Sequence, residues 1–147
     1  MAKYLKFIGI AAIIALVGYW VWQRPDEQQQ AVPIQTWETK TDEQGPVLVK
    51  ATPLDLSAGA AVWKFKIAFD THSGELSDDP LGVVTLADDR AGVYVPRTWD
   101  GPGTGGHHRE GTLTFIAPKF TPQYVELKIT NVGGIPERIF KWNLDKK

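Results

Sequence analysis

The sequence predicts a mainly β protein, an antiparallel immunoglobulin-like β-sandwich of about seven strands preceded by one N-terminal transmembrane helix. Three observations carry this prediction. An uninterrupted apolar run lies near the N-terminus, the hydrophobic period is two from about Trp37 onward, and Gly, Pro and Asp separate the apolar segments. With 147 residues the chain has room for one ordinary domain and a short appendage. The predicted boundaries are residues 1–24 for the cytoplasmic start and anchor, 25–36 for a polar linker and 37–147 for the extracytoplasmic domain.

The predicted anchor extends from Tyr4 to Trp22 and carries no charge after Lys6. As a helix it would span roughly 28 Å, close to the thickness of a hydrocarbon core. Aromatic side chains cluster at its C-terminal end, and Lys3 and Lys6 precede the run, so the positive-inside rule places the N-terminus in the cytoplasm. A cleaved signal peptide is the alternative, but the run ends in bulky aromatic residues rather than in the small residues that cleavage requires.

The clearest strand is the segment from Trp63 to Phe69. Trp63, Phe65, Ile67 and Phe69 share one face, while the lysines between them take the other. Asp88-Asp89-Arg90 predicts a hairpin turn between two further strands. The other predicted strands are 47–51, 81–86, 92–95, 112–115, 124–129 and 139–144. A small barrel is the alternative architecture. The predicted core comprises Trp63, Phe65, Phe69, Phe115, Leu127, Ile129, Phe140 and Trp142.

Composition excludes several classes of function. Cysteine is absent, which removes disulfides, thiolate metal sites and thiol nucleophiles. The residues after the apolar run carry a small excess of acidic side chains, so nucleic acid is not an expected partner. No Gly-x-Ser-x-Gly motif or P-loop is present, and we therefore expect a protein that is not an enzyme.

One glycine-rich segment, residues 99–111, concentrates two of the three histidines beside an acid and an arginine. The third histidine, His72, follows the strand predicted from Trp63 to Phe69. Two or three imidazoles with a carboxylate suit Cu(II) or Zn(II), so the residues predict a metal site if the two segments lie at one end of the sandwich. Neighbouring residues of a regular strand face opposite sides, so the chain must bend for His107 and His108 to bind one ion. The candidate ligands are His72, His107 and His108, completed by Asp70, Asp100 or Glu110. The alternative is a polar loop whose histidines hydrogen-bond to neighbouring segments.

Trp99 and Arg109 are the candidate interaction residues of this segment. A large aromatic side chain in a loop is a favoured anchor for a protein partner, although burial beneath the loop is the alternative. For Arg109, the alternative is a surface ion pair with Glu110 or Asp100 that holds the loop in place.

The segments Thr71-His72-Ser73, Trp99-Asp100-Gly101 and Gly106-His107-His108-Arg109-Glu110-Gly111, with the ending Gly133-Gly134-Ile135-Pro136-Glu137-Arg138, resemble a group of uncharacterised prokaryotic exported or membrane-anchored β-sandwich domains. The resemblance covers residues 47–144. It implies a prokaryotic envelope protein and no particular activity.

Three functional hypotheses follow. The first is a non-enzymatic extracytoplasmic binding or protein-interaction module, held to the membrane and engaging another envelope protein through loops or a sheet edge. The second is a histidine-based copper- or zinc-binding envelope protein. The third is a pilin-like filament subunit, which lacks a visible processing site and a long helix after the apolar run.

Overall fold

The computed structural model describes residues 36–145, and these form two antiparallel sheets packed face to face. The predicted anchor and nearly all of the predicted linker lie outside the described residues. A four-residue helix, α1 (Pro80–Val83), is the one helix within them. The strands are β1 (Lys40–Asp42), β2 (Val47–Asp55), β3 (Val62–Thr71), β4 (Val84–Asp88), β5 (Val93–Tyr94), β6 (Thr98–Asp100), β7 (His108–Ile116), β8 (Tyr124–Val132) and β9 (Ile135–Asn143).

The first sheet has the strand order β1-β2-β3-β7-β6, and the second has the order β5-β4-β8-β9. Every pair of neighbouring strands is antiparallel. The chain crosses between the sheets after β3, after β5 and after β7. Strands distant in the sequence therefore become neighbours, as β3 and β7 do. The predicted mainly β, antiparallel two-sheet sandwich is confirmed.

The core lies between the two sheets and contains all eight residues predicted for it, each no more than 3% exposed. Phe65 is central: its ring centroid lies 5.7 Å from that of Phe115 on its own sheet and 5.7 Å from that of Trp142 on the other. Edge-on and tilted aromatic contacts at this separation are favourable beyond the area they bury. Lys64 and Lys66 are exposed, which confirms the alternation predicted for β3.

The structure has nine strands in its described part rather than about seven, because β1 and β6 were not predicted. Each contains three residues, too few to show a period of two. The predicted strand over 81–86 is wrong at its start. Asp79 accepts a hydrogen bond from the Leu81 amide at 3.0 Å and Pro80 begins a helical turn, so the strand starts only at Val84.

The predicted hairpin between β4 and β5 forms around the buried carboxylate of Asp88. Its oxygens accept hydrogen bonds from the amides of Arg90 and Gly92 and from the Tyr94 hydroxyl, the last at 2.6 Å. Burial raises the pKa of Asp88, but these three hydrogen bonds and the charge of Arg90 outweigh it and hold the pKa below its ordinary value. Burial, together with the bond to Asp88 and its charge, raises the pKa of Tyr94 to about 12.

Candidate functional site

The two sequence segments that contain the histidines meet at one end of the sandwich. Val47 pairs with Thr71, and Asp70 pairs with His108, so the ends of β2, β3 and β7 lie side by side. Three connections extend from these ends: turn 43–46, loop 72–79 and loop 101–107. Arg138 links the β8–β9 turn at 133–134 to them, because it donates hydrogen bonds both to Val132, just before that turn, and to Gln44. We call this set of four connections the histidine end.

Backbone hydrogen bonds join the two longer loops of the histidine end. The Thr71 amide donates to the His107 carbonyl at 2.9 Å, and the Leu76 amide donates to the Gly106 carbonyl at 3.0 Å. In the opposite direction, the Gly105 amide donates to the Leu76 carbonyl at 2.7 Å. Gly105 and Gly106 both have positive φ, a conformation that costs glycine little and lets the loop turn back towards Leu76.

Two of the predicted metal ligands, Asp70 and His108, are in direct contact. They are opposite each other on β3 and β7, and Nδ1 of His108 contacts Oδ1 of Asp70. Glu110 lies on the same outer face but pairs with Lys66, its carboxylate 2.8 Å from Nζ. Asp100 is exposed on β6. His72 and His107 are exposed at the histidine end.

Within residues 36–145 no group of three or more His, Asp or Glu side chains is arranged to hold a metal ion. The contact between Asp70 and His108 supplies one imidazole and one carboxylate, fewer than the three protein ligands typical of a zinc site. The copper or zinc site remains a prediction that a titration can test.

Arg109 is buried, with 2% of its surface exposed, so the alternative of a surface ion pair with Glu110 or Asp100 is wrong. Its Nη1 donates to the carbonyls of Leu76 at 3.1 Å and Asp78 at 2.6 Å, and the guanidinium lies 6.0 Å from the ring of Trp99. Its Nε–H has no hydrogen-bond partner in the described structure. Leaving this N–H unpaired and away from water costs free energy. The two bonds from Nη1 hold loop 72–79 in place, and the burial of the side chain keeps it from the surface that a partner would contact.

Trp99 lies half-buried over the start of β7. Its Nε1 donates to the Pro102 carbonyl at 2.8 Å, which closes the turn after β6. A Cβ at Gly111 would lie 2.7 Å from its ring and one at Gly101 also 2.7 Å, so the two glycines provide the space that the indole fills. The ring therefore packs beneath its own loop and presents only part of its surface.

A second buried arginine, which the sequence analysis did not single out, fastens the rest of the histidine end. Arg138 on β9 is 1% exposed and donates to the carbonyls of Val132, Gln44 and Val47 at 2.7, 2.6 and 3.1 Å. Its Nε donates to Asp42. Burial raises the pKa of Asp42, but hydrogen bonds from Gln44 and Arg138 and the Arg138 charge outweigh it, so the pKa lies below its ordinary value.

The sequence contains a pattern that indicates burial of both arginines. Arg138 is in phase with Phe140 and Trp142, and Arg109 is in phase with Leu113 and Phe115. A period of two therefore directs both side chains inwards. Because arginine is rarely fully buried, reasoning from residue type assigned Arg109 to the surface instead.

An open groove of about 290 Å³ lies away from the histidine end, between residues 36–40 and the last residues of β9. Trp37 and Trp142 contribute to its walls, and the Trp142 Nε1 donates to the Glu38 carbonyl at 2.9 Å. The charged groups beside it, Lys40 and Glu38, pair with each other at 3.2 Å. The groove therefore has both apolar and polar walls, and the charges of Lys40 and Glu38 are paired with each other.

The described residues contain no helix that is long and apolar enough to cross a bilayer, and the predicted anchor lies outside them. Comparison of the chain with known protein families, curated proteins and solved structures finds no match.

Proposed function

We propose that residues 36–145 are an immunoglobulin-like, non-enzymatic binding module and that residues 4–22 anchor it to a membrane. The N-terminus would lie in the cytoplasm and the module in the periplasm or outside the cell. The partner would be another envelope protein. Apart from the additional edge strand β1, the strand orders β2-β3-β7-β6 and β5-β4-β8-β9 match A-B-E-D and C′-C-F-G of the immunoglobulin fold, which supports that assignment.

The observation that carries the binding function is the pair of buried arginines at the histidine end. Arg109 and Arg138 together donate to five backbone carbonyls and fasten loops from both sheets without a disulfide. Loops held in one conformation lose little entropy on binding, which favours affinity. In the matched strand order, loop 72–79, loop 101–107 and the β8–β9 turn correspond to the B–C, D–E and F–G loops. By analogy of fold, they are the counterparts of loops at the end with which antibody variable domains bind.

Photo-crosslinking in the cells that make the protein tests this function. A photoreactive amino acid replaces His72 or His107, both exposed at the histidine end, or Lys119 at the opposite end as the matched control. We expect a discrete crosslinked protein from positions 72 and 107 and none from 119. Equal products from all three positions, or none from any, would contradict a binding role for the histidine end.

The absence of cysteine provides a direct test of the anchor. Ser57→Cys introduces a single thiol into an exposed turn. We expect the full-length chain in the membrane fraction, with this thiol labelled in intact spheroplasts by a maleimide that cannot cross the membrane. Recovery in the soluble fraction, or labelling only after lysis, would overturn the proposed topology.

Metal binding is the second candidate function, and the contact between Asp70 and His108 is the observation that favours it. Calorimetric titration of the full-length chain with Cu(II) and Zn(II) tests it, beside the His107→Ala, His108→Ala double variant and a His72→Ala variant. Tight stoichiometric binding that the double variant abolishes would support a metal site. Weak binding that none of the substitutions changes would leave the histidines with a role in loop structure.

A further inference from the structure

The second sheet ends in a long strand whose outer edge pairs with no other strand among residues 36–145. Residues 36–40 lie across the groove from its last residues, 141–143. Strand β9 contains nine residues and pairs with β8 alone within the described part of the chain. Open edges of this length are templates for pairing with another chain, and proteins commonly shorten or cover them. The other outer strand of this sheet, β5, contains only two residues.

The hydrogen-bond pattern shows which residues present backbone groups at the open edge. The Leu144 amide donates to the Gln123 carbonyl, so those opposite residues are a hydrogen-bonded pair. Because such pairs alternate along an antiparallel ladder, Trp142, Phe140 and Arg138 also bond to β8. The N–H and C=O groups of the alternate residues therefore point away from β8, among them those of Glu137, Ile139 and Lys141. Pro136 has no N–H, but an N–H at this position would point towards β8. The proline therefore removes no donor from the outer edge.

The side chains of the same three residues are exposed on the outer face of the sheet. Ile139 is half exposed and is flanked by one acid and one base at equal spacing, Glu137 and Lys141. If a second β9 pairs antiparallel about Ile139, each Glu137 lies opposite the Lys141 of the other copy. A shift of two residues in either direction destroys both charge pairs, because Ile139 or Asn143 then lies opposite Glu137. The pattern is thus self-complementary in one register.

We propose that a second copy of this chain pairs with the open edge of β9, in antiparallel register about Ile139. The two chains are related by a two-fold axis, so that the same patch serves both copies. The pairing makes about six backbone hydrogen bonds. It joins the four-stranded sheets of the two copies into one continuous sheet. Lys141 already lies 3.3 Å from Glu126 across the β8–β9 pair, so the charges form an alternating row Glu126, Lys141 and Glu137 of the other copy.

Pairing at β9 is independent of the binding function proposed for the histidine end. An interface of one strand pair is small, which predicts a weak dimer in dilute solution. Tethering of both copies to one membrane would raise their effective concentration. The rival explanation is that Pro136, Glu137 and Lys141 protect the edge from pairing, as charged side chains and proline do on many edge strands. The two explanations predict opposite results in a crosslinking experiment.

The chain has no cysteine, so single cysteines report the register without background. Hydrogen-bonded partners lie about 5.5 Å apart at Cα, within the range for a disulfide. In the fraction where the full-length chain is recovered, mild oxidation of Ile139→Cys should give a disulfide-linked dimer. Glu137→Cys or Lys141→Cys alone should give little, whereas a mixture of the two should crosslink. Val95→Cys, on an exposed residue at a different edge, is the control for random collision.

Charge reversal provides an independent check that preserves the exposed character of each site. In the Ile139→Cys background, Glu137→Lys or Lys141→Glu should lower the crosslinked fraction severalfold, and the double reversal should restore it. Far-UV circular dichroism verifies that each variant is folded. The proposal is overturned if Ile139→Cys crosslinks no faster than Val95→Cys, or if the double reversal fails to restore what each single reversal removes.

Discussion

Arg138 on β9 donates its Nε–H to Oδ1 of Asp42 on β1 at 2.9 Å, so an ion pair joins the two sheets at the histidine end. The Arg138 side chain is fully buried, and Asp42 is 17% exposed. The same guanidinium satisfies three backbone carbonyls from turn 43–46, the start of β2 and the end of β8. One side chain thereby fixes the relative position of segments about 90 residues apart in the sequence.

Arg138→Met should lower the free energy of unfolding by about 3 kcal/mol, because it leaves the Asp42 charge and three carbonyls without their donor. Urea unfolding of the full-length chain, followed by tryptophan fluorescence, measures the change. Arg97→Met replaces an exposed arginine and should change the same quantity by less than about 0.5 kcal/mol. Equal effects of the two substitutions would show that the buried network contributes nothing particular.

Arg109→Met should loosen loop 72–79 more than it weakens the sandwich. The substitution removes the donor to the Leu76 and Asp78 carbonyls while keeping an apolar stem that fills much of the same space. Hydrogen exchange should accelerate at least tenfold at the amides of Leu76 and Gly105, with little change at the centre of β3. Lys66→Met, on the exposed neighbouring face, is the control and should leave those two amides unchanged.

Gly111→Ala should lower the free energy of unfolding by about 1–3 kcal/mol, the usual cost of overpacking. The added Cβ would lie 2.6 Å from the Asp100 carbonyl oxygen and 2.7 Å from the Trp99 ring, so the backbone or the indole must move. Gly103→Ala is the matched control in the same loop, since nothing lies within 4 Å of its Cβ. A Gly111→Ala variant as stable as Gly103→Ala would mean that Trp99 repacks freely.

Stability should fall in acid, and Asp88 should account for part of the loss. Its pKa is lower in the folded state, so its contribution is complete above the pKa of the unfolded chain, about 4, and disappears as pH falls through the folded pKa. Asp88→Asn should flatten the decline in unfolding free energy below about pH 4. The decline should persist in part, because Asp42 and Asp55 also have lowered pKa values. An unchanged slope in the variant would contradict the assignment.

Stability should also fall in alkali, where Tyr94 contributes to the loss because its pKa rises to about 12 on folding. The unfolded chain loses this phenolic proton near pH 10, so the stabilisation falls from about pH 10 until the folded phenol ionises. Absorbance titration of the folded protein should show one of the four tyrosines ionising near pH 12. Tyr94→Phe should remove that late step and no other. A late step that survives in the variant would have to belong to another tyrosine.

Local patterns in the sequence predicted the strands and the core well. Alternation over a few residues is enough to orient Trp63, Phe65 and Phe69, and turn residues are enough to place the β4–β5 hairpin. The short edge strands β1 and β6 were not predicted, because pairing with their neighbours β2 and β7 imposes their backbone conformation. Strand 81–86 failed at its start because a capping aspartate and a proline override the apolar run there.

The sequence by itself determined which residues face the core and that the two histidine-containing segments border strands. The tertiary structure alone decided that Asp70 and His108 lie opposite each other and that Arg109 and Arg138 bind loop carbonyls from the interior. It also decided that, among residues 36–145, β9 pairs with β8 alone. The physical reason is the range of the interactions. Side-chain alternation follows from the geometry of one extended segment, whereas the partners of a strand depend on how the whole chain crosses between the sheets.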